Sequence, residues 1–350
     1  VFETGIFKTA ALKFRLLSGN RIASVSKLGS AVFGRLAFAL LLVAATFASF
    51  NVTSARAESL KLVATTSIVG DVVRSIAADR ASVTILMGPG VDPHLYRQTQ
   101  ADIAAMAQAD AVFWNGLYLE AQLEEFLKRL EQRTNVIAIA EAVPSEFLIE
   151  HPDYPGRYDP HVWMDPQLWR HAVLATRDAL ILLDPAGEEV FTANAELYLA
   201  GLDELAAYAD TVLASVADEQ RVLISAHDAF SYFGRAYDFE VLGIQGISTE
   251  SEAGLKHIAD LVDVIVERRI GAVFVETSVS DRSIRSLLEG VAARGLSVPI
   301  GGELYSDALG APGSYEGTWI GMIDSNVTTI TRALGGTAPA SGMNGHLSAS

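Results

Sequence analysis

The stretch from Pro185 to about Val216 is the strongest constraint on what this chain can fold into. Phe191, Ala195, Tyr198, Leu202, Leu205, Ala209, Val212 and Val216 recur at alternating steps of four and three residues. That spacing puts every one of them on a single face of a helix. After Pro185 the run is interrupted only by Gly187 and Gly201. At 1.5 Å per residue, about 30 residues reach roughly 45 Å, the width of a whole domain. A coiled coil would sustain the repeat, but here it stops within about four heptads. The stripe therefore predicts one linking helix over 185–217, packed along two lobes.

On both sides of this helix, strand-like and helix-like segments alternate. Before it, strands are expected at Leu60–Thr65, Val83–Met87, Ala111–Trp114 and Val136–Ile139, with helices at Ile68–Ala78, Thr99–Gln108 and Leu119–Leu130. After it, strands are expected at Val222–Ser225, Phe239–Gly243, Ala272–Glu276 and Val298–Gly301, with helices at Phe230–Tyr237, Glu252–Arg269 and Arg282–Arg294. Strands separated by helices argue for parallel βαβ units and an α/β fold. The expected organisation is an N-terminal lobe over 58–184, the linking helix, a C-terminal lobe over 218–338 and a small, polar, disordered tail over 339–350.

Residues 1–57 are set apart from the fold. A basic leader (Lys8, Lys13, Arg15, Arg21, Lys27, Arg35) precedes an apolar run from Leu36 to Phe50 and then Ala55-Arg56-Ala57. This is the pattern of a secretory signal, with cleavage expected between Ala57 and Glu58. The apolar run is short for a membrane span of about 20 residues. No Cys follows it, so a lipid-anchored N-terminus is not expected. Without the seven basic and one acidic side chains of this leader, 19 basic and 41 acidic ones remain, a net charge of −22. Such a charge argues against a nucleic-acid partner, which needs clustered Lys and Arg. The absence of Cys also removes disulfides, thiolate zinc sites and Cys nucleophiles.

Four side chains share one placement, just after a strand or in a loop. His94 lies in Asp92-Pro93-His94, and His161 in Asp159-Pro160-His161-Val162-Trp163-Met164-Asp165-Pro166. The prolines disfavour helix at Asp159 and Asp165, so His161 sits on a constrained turn. His227 follows Val222–Ser225, and Asp307 follows Val298–Gly301. Ligands of open α/β sheets bind beyond the carboxyl ends of the strands. If the halves face each other, two imidazoles from one meet an imidazole and a carboxylate from the other. Three nitrogens and a carboxylate suit zinc, and also manganese or iron. Taken singly, each has an ordinary structural alternative: a turn histidine at His94, helix N-caps at His227 and Asp307. His151 reads as a surface residue near His161 that could help recruit metal. His171 and His257 read as helix-surface residues, and His346 belongs to the tail.

Four segments together resemble the metal-binding cluster of periplasmic solute-binding proteins of ABC transporters, the zinc/manganese TroA-like family. They are Asp92–Tyr96, Asp159–Pro166, Ser225–Phe233 and Gly301–Gly310, and the likeness extends over residues 58–337. The resemblance implies two βα lobes with parallel sheets joined by one long rigid backbone helix. It also implies a divalent ion, Zn2+ or Mn2+, held between the lobes as transported ligand by His94, His161, His227 and Asp307. Its partner would be an ABC permease in the inner membrane, with the chain acting as a periplasmic monomer and not as an enzyme. Two departures stand out. Arg97-Gln98-Thr99-Gln100 replaces the Glu-Pro-Thr-Pro of many relatives, and 144–159 holds only His151 where many zinc-specific members carry a His/Asp-rich loop. Manganese members often have Glu at the third ligand position, where this chain has His227, and the extra nitrogen favours zinc.

The rival from another class is a secreted zinc-dependent hydrolase, which needs an open coordination position and a general base. No His-Glu-x-x-His pair is present, and nothing selects Glu250 or Glu303 as a base. A binding protein for an organic solute is the second rival.

Overall fold

The computed structural model describes residues 59–152, 154–251 and 253–347. The expected signal segment over 1–57 lies outside them. No described helix is long and apolar enough to cross a membrane.

The chain opens with β1 (Leu60–Thr66), α1 (Ser67–Ala77), β2 (Ala81–Met87), α2 (Gln100–Ala107), β3 (Ala111–Trp114), α3 (Glu124–Leu130) and β4 (Asn135–Ala138). These strands form one parallel sheet in the order β2-β1-β3-β4. Side chains alternate across it, as the pleat requires. Leu62, Ala64, Ala111 and Phe113 enter the central core, whereas Val63, Val112 and Trp114 face a smaller one with Met106, Leu123 and Leu127.

The long helix α5 spans Glu188–Leu213, and its stripe residues from Phe191 to Val212 are all buried. It is shorter than the expected run because residues 185–187 form a separate 3-10 turn and the chain leaves the helix at Ala214. The helical stretch expected around His171 is α4 (Pro166–Leu183), which precedes α5 and packs along it. The Asp165 side chain caps the first turn of α4 by accepting the Gln167 N–H at 2.8 Å, and Pro166 occupies the first helical position.

The second half runs β5 (Val222–His227), α6 (Ser231–Tyr237), β6 (Glu240–Gln245), α7 (Leu255–Arg268), β7 (Val273–Glu276), α8 (Arg282–Ala293) and β8 (Ile300–Leu304). It closes with α9 (Trp319–Ala333), a helix not foreseen. Strands β5 and β6 pair in parallel, as do β7 and β8, and β5 lies beside β7. Leu223 and Phe274 point into the central core, and Val222, Ile224 and Val273 into a second cluster under α7 and α8.

That central core is shared by both halves. Helices α1, α4 and α9 surround α5 and contribute Val72, Val73, Trp169, Trp319 and Met322 beside Phe191, Leu202 and Leu205. Half-buried Asp71 of α1 ties the layer together, accepting the Tyr198 hydroxyl at 2.8 Å and the Trp319 N–H at 3.1 Å. Residues 339–347, expected to be disordered, fold back on α9. Met343 N–H donates to the Asp324 carboxylate at 3.0 Å, and His346 packs on the Tyr315 ring.

Candidate metal centre

Both Asp-Pro-His turns are built alike. Asp92 Oδ1 accepts the His94 N–H at 2.9 Å, and Asp159 Oδ1 accepts the His161 N–H at 2.9 Å. The short carboxylate closes over a proline that has no N–H of its own, which fixes where the following His departs from the chain. Each turn is then anchored to the surrounding fold. Tyr96 donates to Asp102 Oδ2 at 2.7 Å, and Thr99 with Asp102 forms the capping box of α2. Around the second turn, Tyr232 donates to the Asp159 carbonyl at 2.8 Å and Asn115 Nδ2 to the Pro160 carbonyl at 3.2 Å. Trp163 Nε1 reaches across to the Ser306 carbonyl at 2.9 Å, beside Asp307.

His227 is the last residue of β5, and Asp307 follows β8 by three residues. The fold brings all four side chains together: His94, His161, His227 and Asp307 each offer one ligand atom within 4.8 Å of the others. None of the four is more than 2% exposed. His94 Nε2 lies 3.3 Å from His161 Nε2, His161 Nε2 lies 3.4 Å from Asp307 Oδ1, and His227 Nε2 lies 3.3 Å from Asp307 Oδ2. All three rings thus turn Nε2 inward. His227 Nε2 and Asp307 Oδ1, facing the cluster, are buried without a hydrogen-bond partner, as are His227 Nδ1 and Glu276 Oε2, which meet behind the ring as a close ion pair. Buried polar atoms are nearly always satisfied. Unsatisfied lone pairs converging on one point fit a cation.

Two of the rings are gripped from behind. Asp159 Oδ1 lies 2.7 Å from His161 Nδ1. Glu276 Oε1 accepts the His227 N–H at 2.8 Å, and its Oε2 lies 2.5 Å from His227 Nδ1. A carboxylate on Nδ1 holds the proton there, frees Nε2 to donate electrons to a metal, and raises the ring's basicity. Burial opposes charge on these rings. At His161 the Asp159 and Asp307 carboxylates outweigh it and push the ring up to about 9. At His227, Glu276 and Asp307 do the same, and the ring is held well above its ordinary range. His94 shows the opposite balance: burial, reinforced by the two neighbouring imidazoles, pulls it down to about 3 despite Asp307. Asp307, although buried, is held well below the usual carboxylate range by His227 and His161.

The other histidines stay outside the cluster. His151 packs against Tyr154, and His257 Nε2 lies 2.9 Å from the Gly243 carbonyl; both border a cavity next to the cluster. His171 lies on α4 and His346 against Tyr315. The sequence reading missed Glu276, and it took Asp159 and Asp92 only as turn residues. The available signal was an acidic residue ending the apolar run Ala272–Val275, a position that buries a charge and so demands a partner.

Comparison with known proteins places this geometry in a family. The profile described as zinc-uptake complex component A, periplasmic, matches residues 62–333. The manganese-binding lipoprotein MntA of Bacillus subtilis is 42% identical over 303 residues, covering 84% of this chain and 98% of that protein. The zinc-binding protein TroA of Treponema pallidum is 41% identical over 287 residues, covering 82% and 92%. The solved structure of that periplasmic zinc-binding TroA superposes with a TM-score of 0.77 at 40% identity, covering 79% of this chain and 99% of that one. The chain belongs to the zinc-uptake complex component A family, the metal-binding substrate-binding proteins of ABC transporters.

Proposed function

We propose that this chain captures a divalent transition metal ion at His94, His161, His227 and Asp307 and delivers it to an ABC permease in the inner membrane. The observation that carries the reading is the convergence of four buried side chains from four separate loops and strand ends within 4.8 Å, two of their atoms lacking any other partner. The family consists of binding components and not enzymes, so the hydrolase reading has no support. The chain works outside the cytoplasmic membrane, in the periplasm, as a monomer, with lobes at 58–184 and 218–338 and the linking helix at 185–217.

Zinc is the favoured cargo and manganese the next. The relatives' names divide between zinc, manganese and iron, so the donor set has to decide. Three imidazoles and one carboxylate suit zinc better than the oxygen-rich shells that manganese prefers, and zinc outranks manganese in intrinsic affinity. The core shared across both halves favours small rocking over wide hinge closure on loading. A large compaction in solution scattering on adding zinc would count against that motion.

The direct test is zinc titration of the full chain and of His161→Ala. Loss of tight one-to-one binding in the variant supports the reading. Unchanged affinity would overturn it and favour an organic solute.

A further inference from the structure

A cavity of about 740 Å³ lies against the buried cluster, and of the four clustered side chains it is lined by His94 and not by His161, His227 or Asp307. Its walls include Tyr118 and Arg157 from the N-terminal half, and Asp228, Gly246 and Glu250 from the C-terminal half.

His94 is also held differently from the other two rings. Asp159 and Glu276 each grip both the backbone N–H and the ring of their histidine. Asp92 takes only the His94 backbone N–H, and among the described residues no carboxylate is hydrogen-bonded to the His94 ring. The second oxygen of Asp92 instead accepts the hydroxyl of Thr249 at 2.6 Å. Thr249 is buried in the loop after β6, between Ser248 and Glu250, which line the cavity, and it meets the His94 turn directly. A neighbouring contact joins the same two sides, with Gln122 Nε2 donating to Glu250 Oε1 at 2.7 Å.

We propose that His94 is the ligand through which the ion enters and leaves, and that the Asp92–Thr249 hydrogen bond governs how readily it opens. The proposal rests on the four-ligand reading above. Three donors stay fixed: His161 and His227 face carboxylates at Nδ1, and Asp307, like them, does not line the cavity. The fourth is fixed only through its backbone turn, and that turn is pinned by a hydroxyl from the opposite half. When Thr249 lets go, Asp92 keeps its grip on the His94 N–H but loses its second partner. The whole Asp92–His94 turn can then swing toward the cavity while the other three donors remain in place. Asp92 and Thr249 are thus positioning residues: neither touches the ion, and both act on it through His94.

The test uses the full chain loaded with zinc and a chromophoric chelator in excess, with release followed by stopped flow. Thr249→Val keeps the side-chain shape and removes the hydroxyl. Loss of a group supporting a metal ligand commonly costs 10–100-fold in affinity. Release in Thr249→Val is expected about tenfold faster, with association no slower than in the unaltered chain, and Thr249→Ser should restore the slow rate. A purely structural role for Thr249 would not give this split between rates, nor rescue by Ser. Should the valine variant fail to fold, Thr249→Ala is read in the same assay. Equal release from the unaltered chain and the hydroxyl-free variant overturns the gate while leaving the site intact. Zinc binding that survives His161→Ala would instead overturn the function reading itself, so the two failures are distinguishable.

Discussion

Replacing Glu276 by Gln alters one buried oxygen and leaves the shape of the site unchanged. Glu276 is 3% exposed and offers one oxygen to the His227 N–H at 2.8 Å and the other, at 2.5 Å, to His227 Nδ1. A glutamine has one acceptor and one donor for these two tasks. If its oxygen keeps the backbone N–H, its amide nitrogen faces Nδ1, and the ring must move its proton to Nε2 to accept that bond. A ring protonated at Nε2 cannot ligate an ion there. If the amide is flipped, a donor faces the backbone N–H and that bond is lost. Hydrogen bonds to charged groups contribute about 1.5–3 kcal/mol net. This corresponds to roughly 10–100-fold in affinity at about 1.4 kcal/mol per factor of ten, the range typical for groups that orient metal ligands. Competition against a chromophoric chelator at neutral pH should therefore show Glu276→Gln binding zinc at least tenfold more weakly, with an unchanged stoichiometry of one. A variant within twofold of the unaltered protein would refute the idea that the Nδ1 grip controls His227.

Four further outcomes are expected. His227→Glu, titrated with zinc and manganese in one sample, should lose the preference for zinc; identical competition by both proteins would mean that His227 is not a ligand. In the ion-free protein His161 is raised to about 9 and His227 is raised as well, so an ion must displace protons at neutral pH and apparent zinc affinity should climb as pH rises toward 9, seen as proton release in calorimetry across buffers. The same shifts act on ion-free stability: the His161 contribution is complete below its ordinary 6.5 and is lost as pH rises through about 9, whereas His94, pulled down to about 3, subtracts stability as pH falls below 6.5, so the site's contribution to the melting temperature should peak near 6.5. Leu205→Ala removes a fully buried side chain of the shared core and should cost about 2–5 kcal/mol, read as a lower chemical-denaturation midpoint with zinc stoichiometry unchanged.

What could be read in advance followed local signals. Strands such as Ala111–Trp114 are short apolar runs bounded by polar turns, and the α5 stripe repeats without a break. Helix α9 escaped because it is buried on several sides and shows no clean polar face; ten of its residues are buried, Asp324 and Asn326 among them. The Asp165-Pro166 pair was read as a break, although the same pair is a helix start seen from the other side. The four clustered side chains were legible because each lies at the end of a strand or in a loop after one. Their supports were not: Thr249 and Asp92 are 157 residues apart, and Glu276 reaches His227 from the neighbouring strand. Only the fold juxtaposes them.

The shared core around α5 has a consequence for how the protein comes apart. Helices α1, α4 and α9 bury their apolar faces against the same layer, so neither half can unfold alone without stripping cover from the other. Heating should then give one cooperative transition with matching calorimetric and van't Hoff enthalpies, where two independently folded lobes would give two. A single bound ion accordingly shifts the melting of the whole body by mass action, and a chelator added to the loaded protein lowers one transition temperature instead of detaching a domain.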